Sequence, residues 1–299
     1  MAEEGLQYII ELYGDSDPGV AAAVDGYFEK GGEAALCSLR AAFREELLPA
    51  RKEKLRCMIE RYGRKNSLDA LRLTAGRCSE GEECDLTESG YLLCALFDPL
   101  LSRDEYLEEV MPLMIAVISE ISERKTGPEN VSLLNHIFYR RYGYSAAGAF
   151  DINLQNTLLM NVIRGKKGSP FALAMLYFIV AQGAGLPVYP LCFRGGFIPV
   201  YEERGKVLFN INVFHEGEIF IETDISNMVK KQAASLGVNV DIGEATVRKD
   251  HSILVQYLEF LQVLCSPGGN ADMQRTIEDA IEVLGGKRFL SVESDEDDW

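Results

Sequence analysis

The amino-acid sequence predicts an α+β fold in which helical regions at both ends enclose a central unit with a small antiparallel sheet. Three observations predict it. Over roughly the first 75 residues apolar side chains recur at three- and four-residue spacing, the pattern of helices with one buried face. Between Val188 and Asp224 four short runs, "VYPLCF", "FIPVYEE", "KVLFNINVF" and "EIFIETD", carry the β-branched and aromatic content of strands. From Asn227 onward helical spacing returns, most clearly in "SILVQYLEFLQVLC" and "DMQRTIEDAIEVLGG". With 299 residues, 47% of them apolar and 25% charged, the chain has the composition of a soluble globular protein with a sizeable core.

Taken in order, "LQYIIELYG", "VAAAVDGYFEKGG", "EAALCSLRAAFREELL" and "ARKEKLRCMIERYG" read as paired antiparallel helices punctuated by "GDSDPG" and "GG". The turn "DSDPGV" ahead of one helix and "KGGEAAL" opening the next resemble a HEAT-type repeat, so residues 1–77 form a HEAT-like helical region. Two helix pairs are too few for a self-supporting solenoid, and they are expected to lean on the central unit. An acidic loop, "CSEGEECDLTES", separates them from the core expected over 88–226. There the helix from Tyr106 on places Leu107, Val110, Met111, Met114, Val117, Ile118 and Ile121 on one stripe. Two further helices end in glycine, in "SLLNHIFYRRYG" and "LQNTLLMNVIRG". In "GSPFALAMLYFIVAQGAG", Ser169 caps a helix, Pro170 suits its first position and Gly185 closes it. The four strands come next, the last two joined by "HEGE". Residues 227–290 read as C-terminal helices, and 291–299, "ESDEDDW" with its flanking residues, as an acidic and disordered tail.

Composition narrows the function. A formal charge of −16 repels a phosphate backbone at long range, so nucleic acid is not the expected partner. No apolar run approaches the ~20 residues needed to cross a bilayer. The N-terminus "MAEEGLQYIIELYG" has no basic region ahead of an apolar one, so a cytoplasmic protein without a membrane partner is expected. Seven cysteines, an odd number and several inside helical patterns, read as reduced and mostly buried thiols. Cys78 and Cys84 share a loop without a second pair, and the three histidines show no ligand spacing, so no metal and no cofactor are expected. His136 reads as a partly buried or hydrogen-bonded helix residue, and His251 as the opening of a helix. "GKKGS" lacks the spacing of a phosphate-binding loop.

The run "LLNHIFYRRYGYS" followed by "LQNTLLMNVIRGKKGSPFALAMLYFIVAQGAGLPV" resembles the core of the SirB-type branch of transglutaminase-like proteins. The matching positions are Leu134, Asn135, Phe138, Gly143, Asn156, Lys166, Gly168, Pro170, Gly185, Leu186 and Pro187. The resemblance implies a papain-like core with a Cys-His-Asp triad: cysteine at a helix start, where free N–H groups acidify it, histidine on a strand and aspartate on the next. Carried onto this chain, the cysteine place is Pro170, the histidine place is about Gly196, and the aspartate place is Glu222 or Asp224. Two of the three functional groups are missing. The resemblance thus implies a non-catalytic protein that binds another protein or a peptide. The expected cleft is lined by Ser169, Phe171, Cys192, Arg194, Gly195 and Gly196, with Arg194 either gripping a carboxylate or paired with Glu202 or Glu203. The alternative is a cysteine-dependent hydrolase or acyl transferase that uses Cys192 with His215 and Asp224.

Overall fold

The computed structural model describes residues 2–148, 151–194, 196–220, 241–265 and 270–285. Three helices open the chain: α1 (Ala2–Leu12), α2 (Pro18–Glu45) and α3 (Pro49–Ser79). Asp17 caps α2, its carboxylate accepting from the Gly19 and Val20 N–H groups at 2.7 and 3.2 Å. The "GG" at 31–32 is a kink inside α2 rather than a stop, because Gly32 adopts φ 49° and ψ −134°. Sequence spacing ends the next helix at Gly63, yet α3 runs on to Ser79. Gly63 is a place of close approach and not a cap: a Cβ there would lie 2.9 Å from the Cβ of Pro99.

The first half of α3 buries Leu55, Met58, Ile59 and Tyr62 in a cluster with α1 and α2. Its second half puts Leu71, Ala75 and Cys78 into the main core. Polar contacts join the two clusters. Arg40, 3% exposed, donates from Nε to the Pro99 carbonyl at 3.0 Å and from Nη1 to Glu33 at 2.6 Å. Glu33 also accepts from Tyr91 Oη and from Asn66 Nδ2, both at 3.2 Å.

The main core is built by α4 (Leu86–Phe97), α5 (Arg103–Glu120), α6 (Gly127–Asn135) with a π-helical turn at His136–Arg141, α7 (Leu159–Gly165) and α8 (Pro170–Gly183). The stripe on α5 is turned from the expected one: Tyr106, Val110, Leu113, Met114, Ala116 and Val117 are buried, while Met111, Ile115 and Ile118 are exposed. Contact with α8 selects that face. α8 itself has no polar side; every residue from Ala172 to Ala181 is buried.

The strands are β1 (Ser145–Ala146), β2 (Lys167–Gly168), β3 (Val188–Arg194), β4 (Gly196–Glu203), β5 (Lys206–Asn212), β6 (Glu218–Phe220) and β7 (Asp241–Val247). β1 and β2 make a two-residue parallel ladder that fixes the approach to α8. The other five form an antiparallel sheet in the order β6-β5-β4-β3-β7. Cys192 lies opposite Phe197, and both belong to the core that surrounds α8. Leu191, Phe193, Ile198, Phe220 and Ala245 cluster separately. β7 corrects the helical reading of 227–290, since Asp241–Val247 pairs along β3. The reason is non-local pairing: Leu191, Cys192 and Arg194 of β3 lie opposite Val247, Thr246 and Asp241.

Two helices complete the described chain, α9 (Ser252–Leu264) and α10 (Ala271–Val283). α9 is buried from Ile253 to Leu261, and Tyr257 Oη donates to the carbonyl of Thr157. α10 packs on α3, with Arg64 and Asp272 paired at 2.6 Å. The acidic tail at 291–299 lies outside the described residues.

Candidate functional site

The approach to α8 is built to hold one helix start in place. Lys166 takes a left-handed conformation at φ 58°, and Gly168 packs so tightly that a Cβ would meet Val162 at 2.6 Å. The Asn156 carbonyl accepts the Ser169 N–H at 2.7 Å, and the Asn156 side chain donates to the Asp151 carbonyl at 2.7 Å. Ser169 then caps the helix, its Oγ accepting from the Ala172 N–H at 3.3 Å. Its hydroxyl is fully buried in that role, at 0% exposure. Pro170 stands at the first helical position, with neither thiol nor N–H.

Aromatic rings fill the space in front of it. The Phe171 ring stacks on Phe260 of α9 with centroids 3.8 Å apart and 18° between planes. It also meets Phe197 of β4 edge-on at 5.2 Å and 86°. Gly196 is buried beside them; a Cβ at that position would lie 3.2 Å from Phe171 Cζ and 3.4 Å from Phe193 Cε2. The structure therefore places Phe171, next to Ser169 and Pro170 at the helix start, against Gly196 of β4.

Cys192 does not face solvent. It is 5% exposed, and burial pushes its thiol up to about 12, with Arg248 opposing that shift and Asp250 adding to it. Ser169 and Cys192, both expected to line a cleft, are thus withdrawn from solvent by capping and by core packing. Arg194 ends β3 in register with Asp241 of β7. Glu202, one expected partner for it, is bonded to Lys249 at 2.9 Å. Gly195, Glu222 and Asp224 lie outside the described residues. His215 is exposed in a 3₁₀ turn, its Nδ1 3.0 Å from Asn212 Nδ2. His136 is exposed and not partly buried, because the π-helical turn swings it outward, and His251 stands at the head of α9. Among the described residues no group of three His, Cys, Asp or Glu side chains is gathered as metal ligands, and no helix is long and apolar enough to cross a membrane.

Sequence reasoning missed what α9 contributes. Besides Phe260, it supplies Gln256, 3% exposed, whose Nε2 donates to the Phe193 carbonyl at 3.2 Å. The available signal was its run of apolar residues on all sides, the mark of a helix inside a core. Asn135, which in the sequence is only a family position, proves to be a junction. It accepts from Tyr177 Oη of α8 and donates to the Gly217 carbonyl, both at 2.7 Å.

Comparison with known proteins gives three results. Two UPF0162 proteins of Xylella fastidiosa, from strains Temecula1 and 9a5c, are each 26% identical over 107 residues, which is 33% of this chain and 38% of the relative. The chain thus matches well under half the length of those curated relatives. A solved structure described as "Crystal structure of menin reveals the binding site for Mixed Lineage Leukemia (MLL) protein" superposes with a TM-score of 0.40 at 14% identity, covering 74% of this chain and 61% of that one. At that level it carries no functional argument. The third result is a family match over residues 104–256, beginning in α5 and ending inside α9. It runs past the expected core boundary at 226 and takes in β7 and Gln256. That span is slightly more than half of the 299 residues and contains the helix start, the sheet and the first turns of α9, so the chain belongs to the transglutaminase-like superfamily.

Proposed function

We propose that this chain is a non-catalytic member of its superfamily, of the SirB type, and acts by binding another protein or a peptide in the cytoplasm. The observation that carries the reading is the packing at the head of α8. Pro170 occupies the nucleophile place, and the room for a side chain at Gly196, the base place, is taken by the Phe171 and Phe193 rings. Triad members act as a unit, so the loss of one lowers the rate on the order of 10⁴-fold or more. A net charge of −16 favours a protein or peptide partner over nucleic acid or an anionic membrane.

The alternative, hydrolysis or acyl transfer by Cys192, has little support from its surroundings. A reactive thiol needs an exposed, electropositive setting, and Cys192 is buried with its proton held tightly. The test is incubation with a thiol-reactive acyl donor and with amine acceptors, alongside Cys192→Ser. No turnover is the expected result. Turnover that vanishes in the variant overturns the reading, and turnover that persists in it locates a different site. Binding is tested separately with a displayed peptide library: Arg194→Ala is expected to weaken the selected peptides, and unchanged retention removes Arg194 from the site.

A further inference from the structure

α5 carries an apolar row that no part of the described structure covers. Met111, Ile115 and Ile118 are 38%, 56% and 50% exposed, although Tyr106, Val110, Leu113, Met114 and Val117 of the same helix are buried. Steps of four and then three residues set the three side chains on one face, the spacing at which one helix packs along another. Apolar residues exposed singly need no explanation, but a row of three does. Its inner flank is closed by α8, where a Cβ at Gly183 would lie 2.8 Å from Met114 Cε. The two ends of the helix differ in charge. At the N-terminal end Arg103, Glu105 and Glu109 are held in ion pairs by Glu88, Arg44 and Arg164. Asp104 and Glu108 are exposed there and enter no ion pair among the described residues. At the C-terminal end Arg124 and Lys125 are exposed and likewise in no ion pair, with Lys125 Nζ held to the Glu120 carbonyl at 2.6 Å. Glu123 opposes those two cations, whereas Glu120 lies on the far side of α5 from the row.

We propose that this face joins α5 to the α5 of a second copy of the chain, antiparallel, in a two-fold symmetric dimer. A contact of that symmetry requires a face that matches itself when turned end for end. This one does. Turned about a point between Ile115 and Ile118, each Ile115 meets the partner's Ile118, and the Asp104 and Glu108 end of each helix meets the Arg124 and Lys125 end of the other. A parallel arrangement would set like charges side by side, and it would align the two helix dipoles unfavourably. The charge of −16 on each copy works against association. At physiological ionic strength, however, the Debye length is about 8 Å, so the charges at the face itself decide. Three side chains are few beside the roughly 800 Å² that each partner of a standard interface buries, so the dimer is weak, with a Kd on the order of 10 µM. The row lies on α5, apart from the head of α8, and the proposal does not depend on the reading given to that site.

The experiment is sedimentation velocity on the full chain at physiological salt, over concentrations from roughly 1 to 200 µM. A monomer and dimer in equilibrium are expected. Ile115→Asp is expected to raise the dissociation constant at least ~10-fold, with an unchanged circular dichroism spectrum because the side chain it replaces is exposed. Ile118→Lys reads the same contact if the first variant does not fold. Reversing the acidic end, with Asp104→Lys and Glu108→Lys, is expected to weaken the dimer, and so is reversing the basic end, with Arg124→Glu and Lys125→Glu. A chain carrying both reversals is expected to recover it, which only an antiparallel pairing of the two ends can do. The proposal is overturned if the chain stays monomeric across the range, if the dimer survives both isoleucine variants, or if the double reversal fails to restore what the single reversals lose.

Discussion

α3 and α8 bury themselves in opposite ways. α3 is amphipathic, with its buried residues recurring at three- and four-residue steps from Leu55 to Cys78 and charged residues on its outer side. α8 is enclosed on all sides from Ala172 to Ala181. An amphipathic stripe tells a helix which side to bury, and the polar cluster of Arg40, Glu33, Tyr91 and Asn66 then fixes which neighbour it meets. A helix with no polar side has no such instruction in its pattern. Its rotation is set by shape and by a few hydrogen bonds, here Tyr177 to Asn135 and onward to Gly217.

The sharpest way to break the α8 arrangement is Gly217→Ala. Gly217 sits at φ 77°, and a Cβ there would lie 2.0 Å from Asn135 Oδ1, so backbone strain and a clash combine. A loss of roughly 4 kcal/mol in urea unfolding is expected. Arg40→Ala tests the α3 side. It removes the partner of Glu33 and leaves the Pro99 carbonyl without its donor, at an expected cost of about 3 kcal/mol. Because α3 enters both clusters, unfolding of this variant is expected to stay a single transition by circular dichroism. Separate transitions for the two clusters would refute that coupling.

Tyr177→Phe sharpens the comparison with a smaller change. It keeps the ring and removes the bond to Asn135, at an expected cost of about 1.5 kcal/mol in the same assay. The smallest effect is electrostatic and belongs to the surface. Burial alone would raise the Glu105 pKa, but the Ser102 N–H and hydroxyl and the Arg44 guanidinium outweigh it and hold the carboxyl below its ordinary value. Its contribution is therefore complete above the ordinary glutamate pKa of about 4.3 and is lost as pH falls through the lower folded-state value. Since Glu105 is 41% exposed, Glu105→Gln is expected to cost under ~1 kcal/mol at pH 7. Stability curves of the two proteins are expected to converge under acid conditions.

Much of this was legible where local chemistry decides. The Ser169-Pro170 start, the Gly185 stop at φ 80° and the strands beginning at Val188 arise from capping and alternation. Gly63 was misread because a glycine that admits Pro99 looks the same in sequence as one that ends a helix. β7 escaped notice because its seven residues gain their stability from β3, some fifty positions earlier in the chain. At the candidate site, the resemblance pointed to the helix start at Pro170 and to the strand at Gly196. The rings packed there could not be read from it, since Phe171, Phe197 and Phe260 meet only when three distant elements are assembled.

The length of α3 also orders events during synthesis. Its 31 residues make a rod of about 46 Å at 1.5 Å per residue, and every buried member of the cluster it forms with α1 and α2 has been translated by Tyr62. The distal half then projects Leu71, Ala75 and Cys78 into water before their partners in α4 and α10 have been translated. A preformed apolar edge of that kind serves as a nucleus on which the later helices condense, so the slow, non-local pairing of the sheet begins on a surface already in place.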